Sequence, residues 1–228
     1  GLKLPTKRTQ LISMNVLQHA LVKSEWSLMG FSWTFQKAIR EGRNTDVQYL
    51  TKEGLKQRPT VLQCYDRDDI VGSPLHDAVF ANQLETVQLL IDWGAKIDYI
   101  DPFTKETPIH WAARYGHLEV LKLFFHLNQE SMLIKDGTPS GNMPIHTASY
   151  YKHKDIVVWL VSIGVSVNCV NKTGETPLLI AVNDAGEDNI ELVKTLIVLG
   201  AEVNCRSENF VGMTPRHKSV RCGHSFEL

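Results

Sequence analysis

Cysteine is scarce in this chain, and none of it is paired in sequence. The 228 residues include only Cys64, Cys169, Cys205 and Cys222, none in C-x-x-C spacing. A chain of this length can bury a sizeable core without disulfide staples, so a disulfide-framed secreted module is excluded and a reduced, cytoplasmic setting is expected. Long apolar runs are also missing. The most apolar stretch, "IVVWLVSIGVSV" at 156–167, is broken by Ser162, Gly164 and Ser166. It falls short of the roughly 20 apolar residues that span a bilayer, so no transmembrane segment is expected. Residues 1–30 lack an apolar core followed by a small-residue cleavage site, which argues against a secretory signal. Charge of one sign is absent as well. The formal net charge is -1, so no basic field collects nucleic acid, and Lys3, Lys7 and Arg8 read as a solvated end.

Signatures of chemistry are equally thin. "GTPSG" at 137–141 flanks a serine with glycines but not in G-x-S-x-G order, so it reads as a loop tip rather than a nucleophile elbow. No phosphate-cradling or dinucleotide glycine pattern occurs, and no cofactor is expected. One stretch does invite a metal: "ETPIHWAARYGHLEVLKLF" at 106–124 holds His110, His117 and Glu119. Two histidines seven apart on one helix would share a face. Gly116 stands between them, however, and glycine readily takes the left-handed conformation that ends a helix. His110 and His117 are therefore expected on different helices, and no metal site is expected. Glu119 fits the first turn of the second helix, where the dipole favours a carboxylate.

What the chain has instead is repetition. Similar stretches occur at 73–98, 143–168, 176–204 and 214–228. Their anchoring prolines, with the copy above, are Pro74, Pro108, Pro144, Pro177 and Pro215, at steps of 34, 36, 33 and 38 residues. A weaker copy without proline runs from Phe35 to Leu50. Thr or Ser before the proline is a helix start, because the hydroxyl caps an orphan N–H and proline has none to satisfy. Met143 breaks that rule, and its helix should be capped less well by roughly 1 kcal/mol. Small residues such as Ala112 and Ala113 let neighbouring helices approach, and a second helix follows with apolar residues at helical spacing. One such pair cannot bury its apolar faces alone, whereas stacked pairs make a continuous core. The fold class is therefore an all-α solenoid of helix-turn-helix repeats.

T-P-L-H-x-A, then G-H, then a Leu/Val helix, then G-A-x-V-N, about 33 residues apart, resembles the ankyrin repeat. The resemblance covers residues 34–228, about five to six repeats, with the last incomplete at Leu228. It implies antiparallel helix pairs with projecting β-turn fingers, and a histidine, here His76, His110, His146 and His217, that ties down each turn. Longer connections are expected at 133–142 and 183–189. Residues 1–33, with apolar positions suggesting a helix at about 10–23, are expected to form an N-terminal cap. Trp111 is expected to pack between helices. Cys169 and Cys205 fall at equivalent repeat positions, which accounts for them without a disulfide.

Ankyrin repeats bind proteins through their concave side, using the fingers and the two residues after the small pair of the first helix. In this chain those pairs include Phe80-Ala81, Arg114-Tyr115, Tyr150-Tyr151 and Asn183-Asp184. The scaffold does not demand large aromatics there. Phe80, Arg114, Tyr115, Tyr150, Tyr151, Asn183 and Asp184, with Tyr99, Asp101 and Phe103 from a finger, are therefore the expected contacts of a protein-binding groove. Two wider resemblances bear on the whole protein. "KDGTPSGNMPIHTAS" (135–149), "KTLIVLGAEVN" (194–204) and "GMTPRHKS" (212–219) resemble the repeats of patatin-like, calcium-independent phospholipases. In that family the repeats support oligomerisation and precede a lipase domain that is not in this stretch. "GSPLHDAVFANQLETVQLL" (72–90) resembles repeats of ubiquitin-ligase substrate adaptors. Either resemblance implies a regulatory, oligomerising or recruiting module of a larger protein.

Overall fold

The computed structural model describes residues 28–57, 61–62, 72–128, 138–182 and 188–204. These form ten helices and, among the described residues, no strand. In chain order they are α1 (Leu28–Arg40), α2 (Asn44–Gln57), α3 (Pro74–Phe80), α4 (Leu84–Asp92), α5 (Pro108–Tyr115), α6 (Leu118–Leu127), α7 (Pro144–Tyr150), α8 (Lys154–Ser162), α9 (Pro177–Val182) and α10 (Asp188–Val198). They pair as five helix-turn-helix units, which is the all-α repeat fold expected from the sequence. Helix α1 begins at Leu28 and so crosses the expected boundary at 33/34. The expected helix at 10–23, residues 129–137 and 183–187 of the two longer connections, and the copy at 214–228 lie outside the described residues.

The chain divides into two compact units, 1–95 and 96–228. In the first, α1 packs on α3 and α2 on α4 around Phe35, Ile39, Leu50, Leu75, Val79 and Leu90, all fully buried. In the second, α5, α7 and α9 pack in succession, and α8 packs on α10. Its core includes Ile109, Leu121, Phe124, Ile145, Ile156, Leu160 and Leu178. Trp111 is buried, as helix packing requires.

One turn recurs in both units. Arg43 N–H donates to Ala38, Gln83 to Ala78, His117 to Ala112 and His153 to Ala148, at 2.9, 3.0, 2.9 and 2.9 Å. Each bond spans five residues and satisfies a carbonyl that the end of the first helix leaves open. The residue before each donor has positive φ: Gly42 (64°), Asn82 (53°), Gly116 (79°) and Lys152 (67°). The glycine reading at 116 is therefore right in cause, and His110 and His117 do sit on separate elements.

Two of the repeat histidines, His110 and His146, hold helix starts to fingers. Ser73 N–H donates to His76 Nδ1 at 3.1 Å, and Met143 N–H to His146 Nδ1 at 3.1 Å. Thr107 places N–H and hydroxyl at 3.5 and 2.8 Å from His110 Nδ1. A nitrogen that accepts from a backbone N–H carries no proton, so the ring proton is on Nε2. From there His110 donates to the Asn142 carbonyl at 2.7 Å, and His146 to those of Cys169 and Glu175 at 3.2 and 3.1 Å. Each of these two bonds runs forward to the chain leading into the next repeat.

Fingers have their own internal ties. Asp101 N–H donates to Glu106 and Asn171 N–H to Glu175, at 2.9 and 3.1 Å. The Asn171 amide donates to Asn142 Oδ1 at 2.8 Å, joining one finger to the next.

Two stability measurements follow from these contacts. Thr107 supplies to its helix start the buried hydroxyl that Met143 lacks, so the near-isosteric Thr107→Val lowers unfolding stability by about 1 kcal/mol in denaturant titration; an unchanged or higher midpoint contradicts this. Burial lowers the pKa of His110 to about 4 from 6.5, with Arg114 adding to the effect and the Asn142 bond opposing it. Between these values the unfolded chain takes up a proton that the native chain refuses. The His110 contribution is therefore present above pH 6.5 and is lost as pH falls toward 4. From pH 7 to 5 it amounts to about 2 kcal/mol, so His110→Gln reduces the pH dependence of unfolding by that amount. The same slope in the variant contradicts the assignment.

Candidate partner-binding surface

The expected contact residues fall in both units, and each unit is described by itself. In the 96–228 unit, α5 ends on Arg114 and Tyr115, and α7 ends on Tyr150 with Tyr151 as its C-cap. Both helices are short because the recurring turn stops them, which leaves these four side chains at the last turn. Tyr150 is 60% exposed, and Tyr115 and Tyr151 are exposed by more than a third. The rings of Tyr150 and Tyr151 meet edge to face at 5.0 Å. Tyr115 stacks on His117 at 6.2 Å and meets Trp111 edge-on at 5.9 Å. His117 thus also borders this aromatic surface.

Arg114 ties the surface to the finger beneath it. Its guanidinium lies 5.0 Å from the Tyr151 ring centroid, a cation–π geometry, and its Nη2 pairs with Glu106. Its carbonyl accepts from His153 Nε2 at 2.7 Å. Glu106 is buried. Burial raises its carboxyl pKa, while Arg114 and the Trp111 indole pull it down without cancelling the rise. Burial also disfavours the charge on Arg114, but pairing with Glu106 outweighs it and its pKa is raised. Burial raises the Tyr151 phenol as well, so it is protonated and available to donate at neutral pH.

The finger contributes unevenly. Phe103 is 55% exposed, and Tyr99 is half-buried. Asp101 is fully buried, with its carboxylate accepting from Thr104 N–H and hydroxyl at 2.6 and 2.7 Å. It shapes the finger turn rather than facing outward. Its chemistry explains the difference: a carboxylate at a turn start is an acceptor for the backbone two or three residues on. Asn183 and Asp184 lie outside the described residues.

In the 1–95 unit Phe80 is exposed at the end of α3, with Arg40 5.6 Å from its ring centroid. Arg40 also pairs with the buried Asp77 at 2.6 Å, and Gln36 donates to the same carboxylate at 3.0 Å. Trp33 is 55% exposed with the Lys37 ammonium 5.0 Å over its ring. Trp33 falls just before the expected repeat region at 34–228, and the i, i+4 spacing of Trp33 and Lys37 becomes meaningful once α1 starts at Leu28. Glu106 and His153 were also missed. The only available signals were a glutamate before Thr-Pro in two copies, "KETP" and "GETP", and a histidine after the turn in successive copies.

Among the described residues no group of three or more His, Cys, Asp and Glu is arranged to hold a metal. None of their helices is long and apolar enough to cross a membrane. The fold and surface define a helix-turn-helix repeat protein with exposed aromatics at the ends of its first helices.

Comparison with known proteins gives that class its name. The family of ankyrin repeats (3 copies) matches residues 75–171, 109–207 and 145–227. The chain belongs to the ankyrin-repeat family, whose repeats mediate protein–protein interaction. It is 34% identical over 151 residues to transient receptor potential cation channel subfamily A member 1 of Drosophila melanogaster, covering 65% of this chain and 12% of that protein. It is 32% identical over 152 residues to palmitoyltransferase ZDHHC13 of Homo sapiens, covering 64% and 24%. It is 29% identical over 161 residues to the nuclear factor NF-kappa-B p105 subunit of Gallus gallus, covering 70% and 16%. The chain thus spans between 12% and 24% of the length of these relatives.

The close fit at Gly116 supports the surface directly. A Cβ there would meet the His153 ring at 2.8 Å, at a backbone φ of 79° that side chains rarely adopt. Gly116→Ala therefore lowers unfolding stability by roughly 1–3 kcal/mol. It also displaces His153 from the Arg114 carbonyl, seen as a shift of the His153 ring resonances. An alanine variant with unchanged stability and unchanged His153 resonances contradicts this packing.

Proposed function

We propose that the 96–228 unit is a protein-binding module that engages its partner through Arg114, Tyr115, Tyr150 and Tyr151. The observation that carries this reading is the exposure of three tyrosines at scaffold positions that do not require aromatics. Tyrosine gives large contact area with a polar tip and little entropy to lose, which is why it concentrates at interface hot spots. Tyr99 and Phe103 extend the surface along the finger. Phe80, in its own unit, offers a second contact, and Asn183 and Asp184 are included on sequence grounds alone. Asp101 acts from inside the finger.

The wider role follows from the module. We take it to be a cytoplasmic, regulatory or assembling part of a longer protein, with self-association one form that assembly can take. The relatives above are a channel, a palmitoyltransferase and a nuclear factor subunit by name, so the repeat module is what they share with this chain rather than one activity. None of the three is named as a phospholipase, and the reading here needs no lipase chemistry and no ubiquitin-ligase recruitment.

The test is the double variant Tyr115→Ala/Tyr151→Ala. Circular dichroism checks that it keeps its helix content, and quantitative pull-down compares its partners with those of the parent chain. A loss of about 2 kcal/mol or more in binding, some thirtyfold, is expected. A folded variant that retains every partner at parental levels removes the basis for this reading.

A further inference from the structure

Resting on that reading, we propose that Glu106 is a specificity-determining residue of the tyrosine surface. It neutralises Arg114 from within, so that the surface rejects acidic segments at Tyr151, and it holds the guanidinium in place behind that ring.

The geometry has three linked parts. The Glu106 carboxylate is buried in the finger base and pairs with Arg114 Nη2. The Arg114 guanidinium lies over the Tyr151 ring at 5.0 Å. The Arg114 backbone is held separately, through the His153 bond to its carbonyl at 2.7 Å. Backbone position is therefore fixed by one contact and side-chain direction by another. Glu106 pairs with Arg114, and its charge also bears on the Tyr151 phenol, whose pKa it helps to raise after burial.

The charge argument runs from burial. An arginine beside exposed tyrosines would ordinarily attract a carboxylate from a partner, since its planar fork matches that group. Here a competing carboxylate would have to draw Arg114 away from Glu106. That would leave a buried anion without its counter-charge, which is strongly unfavourable. Sharing the guanidinium between both carboxylates would place two anions in one partly desolvated site. An acidic side chain is thus opposed at this point of the surface, while an uncharged segment that packs on the rings and bonds to the phenol hydroxyls is not. Specificity of this kind comes from an arrangement that penalises the wrong partner rather than from an added contact to the right one.

Glu106→Gln removes the internal anion while keeping size and hydrogen bonding. The experiment titrates the whole 228-residue chain, with tyrosine rings isotopically labelled, against an octaglutamate peptide. The parent chain is expected to show weak binding and little change at Tyr151. Glu106→Gln is expected to bind the peptide at least about tenfold more tightly, with Tyr151 resonances moving on titration. Adding Arg114→Gln to it is expected to return binding to the parental level. Equal binding by the parent chain and Glu106→Gln, or a gain that survives Arg114→Gln, overturns the proposal. If Glu106→Gln does not fold, Arg114→Lys serves instead. It keeps a charge opposite Glu106 but loses the planar stack, so Tyr151 resonances are expected to shift without peptide and peptide binding to stay parental; unshifted resonances overturn the proposal. The peptide result turns on the Arg114–Glu106 pair, with Tyr151 as the reporting ring. It is therefore read separately from the Tyr115/Tyr151 double variant, which can fail while this inference stands, or the reverse.

Discussion

The described helix starts that carry a repeat histidine depend on a neutral imidazole. His76, His110 and His146 each lie three residues after a helix cap, with Nδ1 placed to accept from the cap backbone. For His110 and His146 the other nitrogen donates to carbonyls of the following finger. The ring thus closes a helix start and fastens it to the next repeat at the same time. No other side chain has an acceptor and a donor set rigidly on opposite edges of a small flat ring. Protonation would destroy the acceptor, and at His110 burial keeps the ring neutral well into the acid range. The same group that looks like a metal ligand in the sequence is therefore fully employed in holding the repeat together.

From that fixed base the tyrosine surface follows with little freedom. The proline-led helix starts at a defined place, runs two turns and stops at a turn where the backbone must take positive φ. The last helical residues are then carried to the edge, where Tyr115, Tyr150 and Tyr151 stay partly exposed. Of the four side chains at these helix ends, Arg114 is drawn back by Glu106 below and Tyr151 beside it. The result is a surface whose polar tips are phenols and whose one guanidinium is already matched.

Most of the fold was legible because the repeat writes it several times. Pro108 with Thr107, the small Ala112, Gly116 and the apolar second helix each recur, so a single ambiguous copy is corrected by its neighbours. Positions where the copies disagree were harder. Lys152 occupies a left-handed turn position that Gly116 fills elsewhere, and no local rule puts a lysine there. Leu28 starts a helix well ahead of the weak first copy because that copy lacks the proline that marks a start. Contacts that join distant positions were not legible at all: Glu106 to Arg114, Arg114 to Tyr151 and His153 to the Arg114 carbonyl depend on stacking, which a linear pattern does not encode. Asp101 shows the limit from the other side. Its place in an exposed-looking finger suggested a contact, but its short carboxylate bonds inward to Thr104.

The proposed protein-binding surface rests on the scaffold, in which His110 and His146 are tied inside the repeat while Tyr115, Tyr150 and Tyr151 stay partly exposed. That scaffold depends on the histidine state. Nitrogen-15 NMR of the imidazoles at neutral pH tests it most directly. The account predicts that His110 and His146 are neutral, with Nδ1 unprotonated and the proton on Nε2. A proton on Nδ1 of either ring, or a doubly protonated His110 in the folded chain at pH 6, would contradict it.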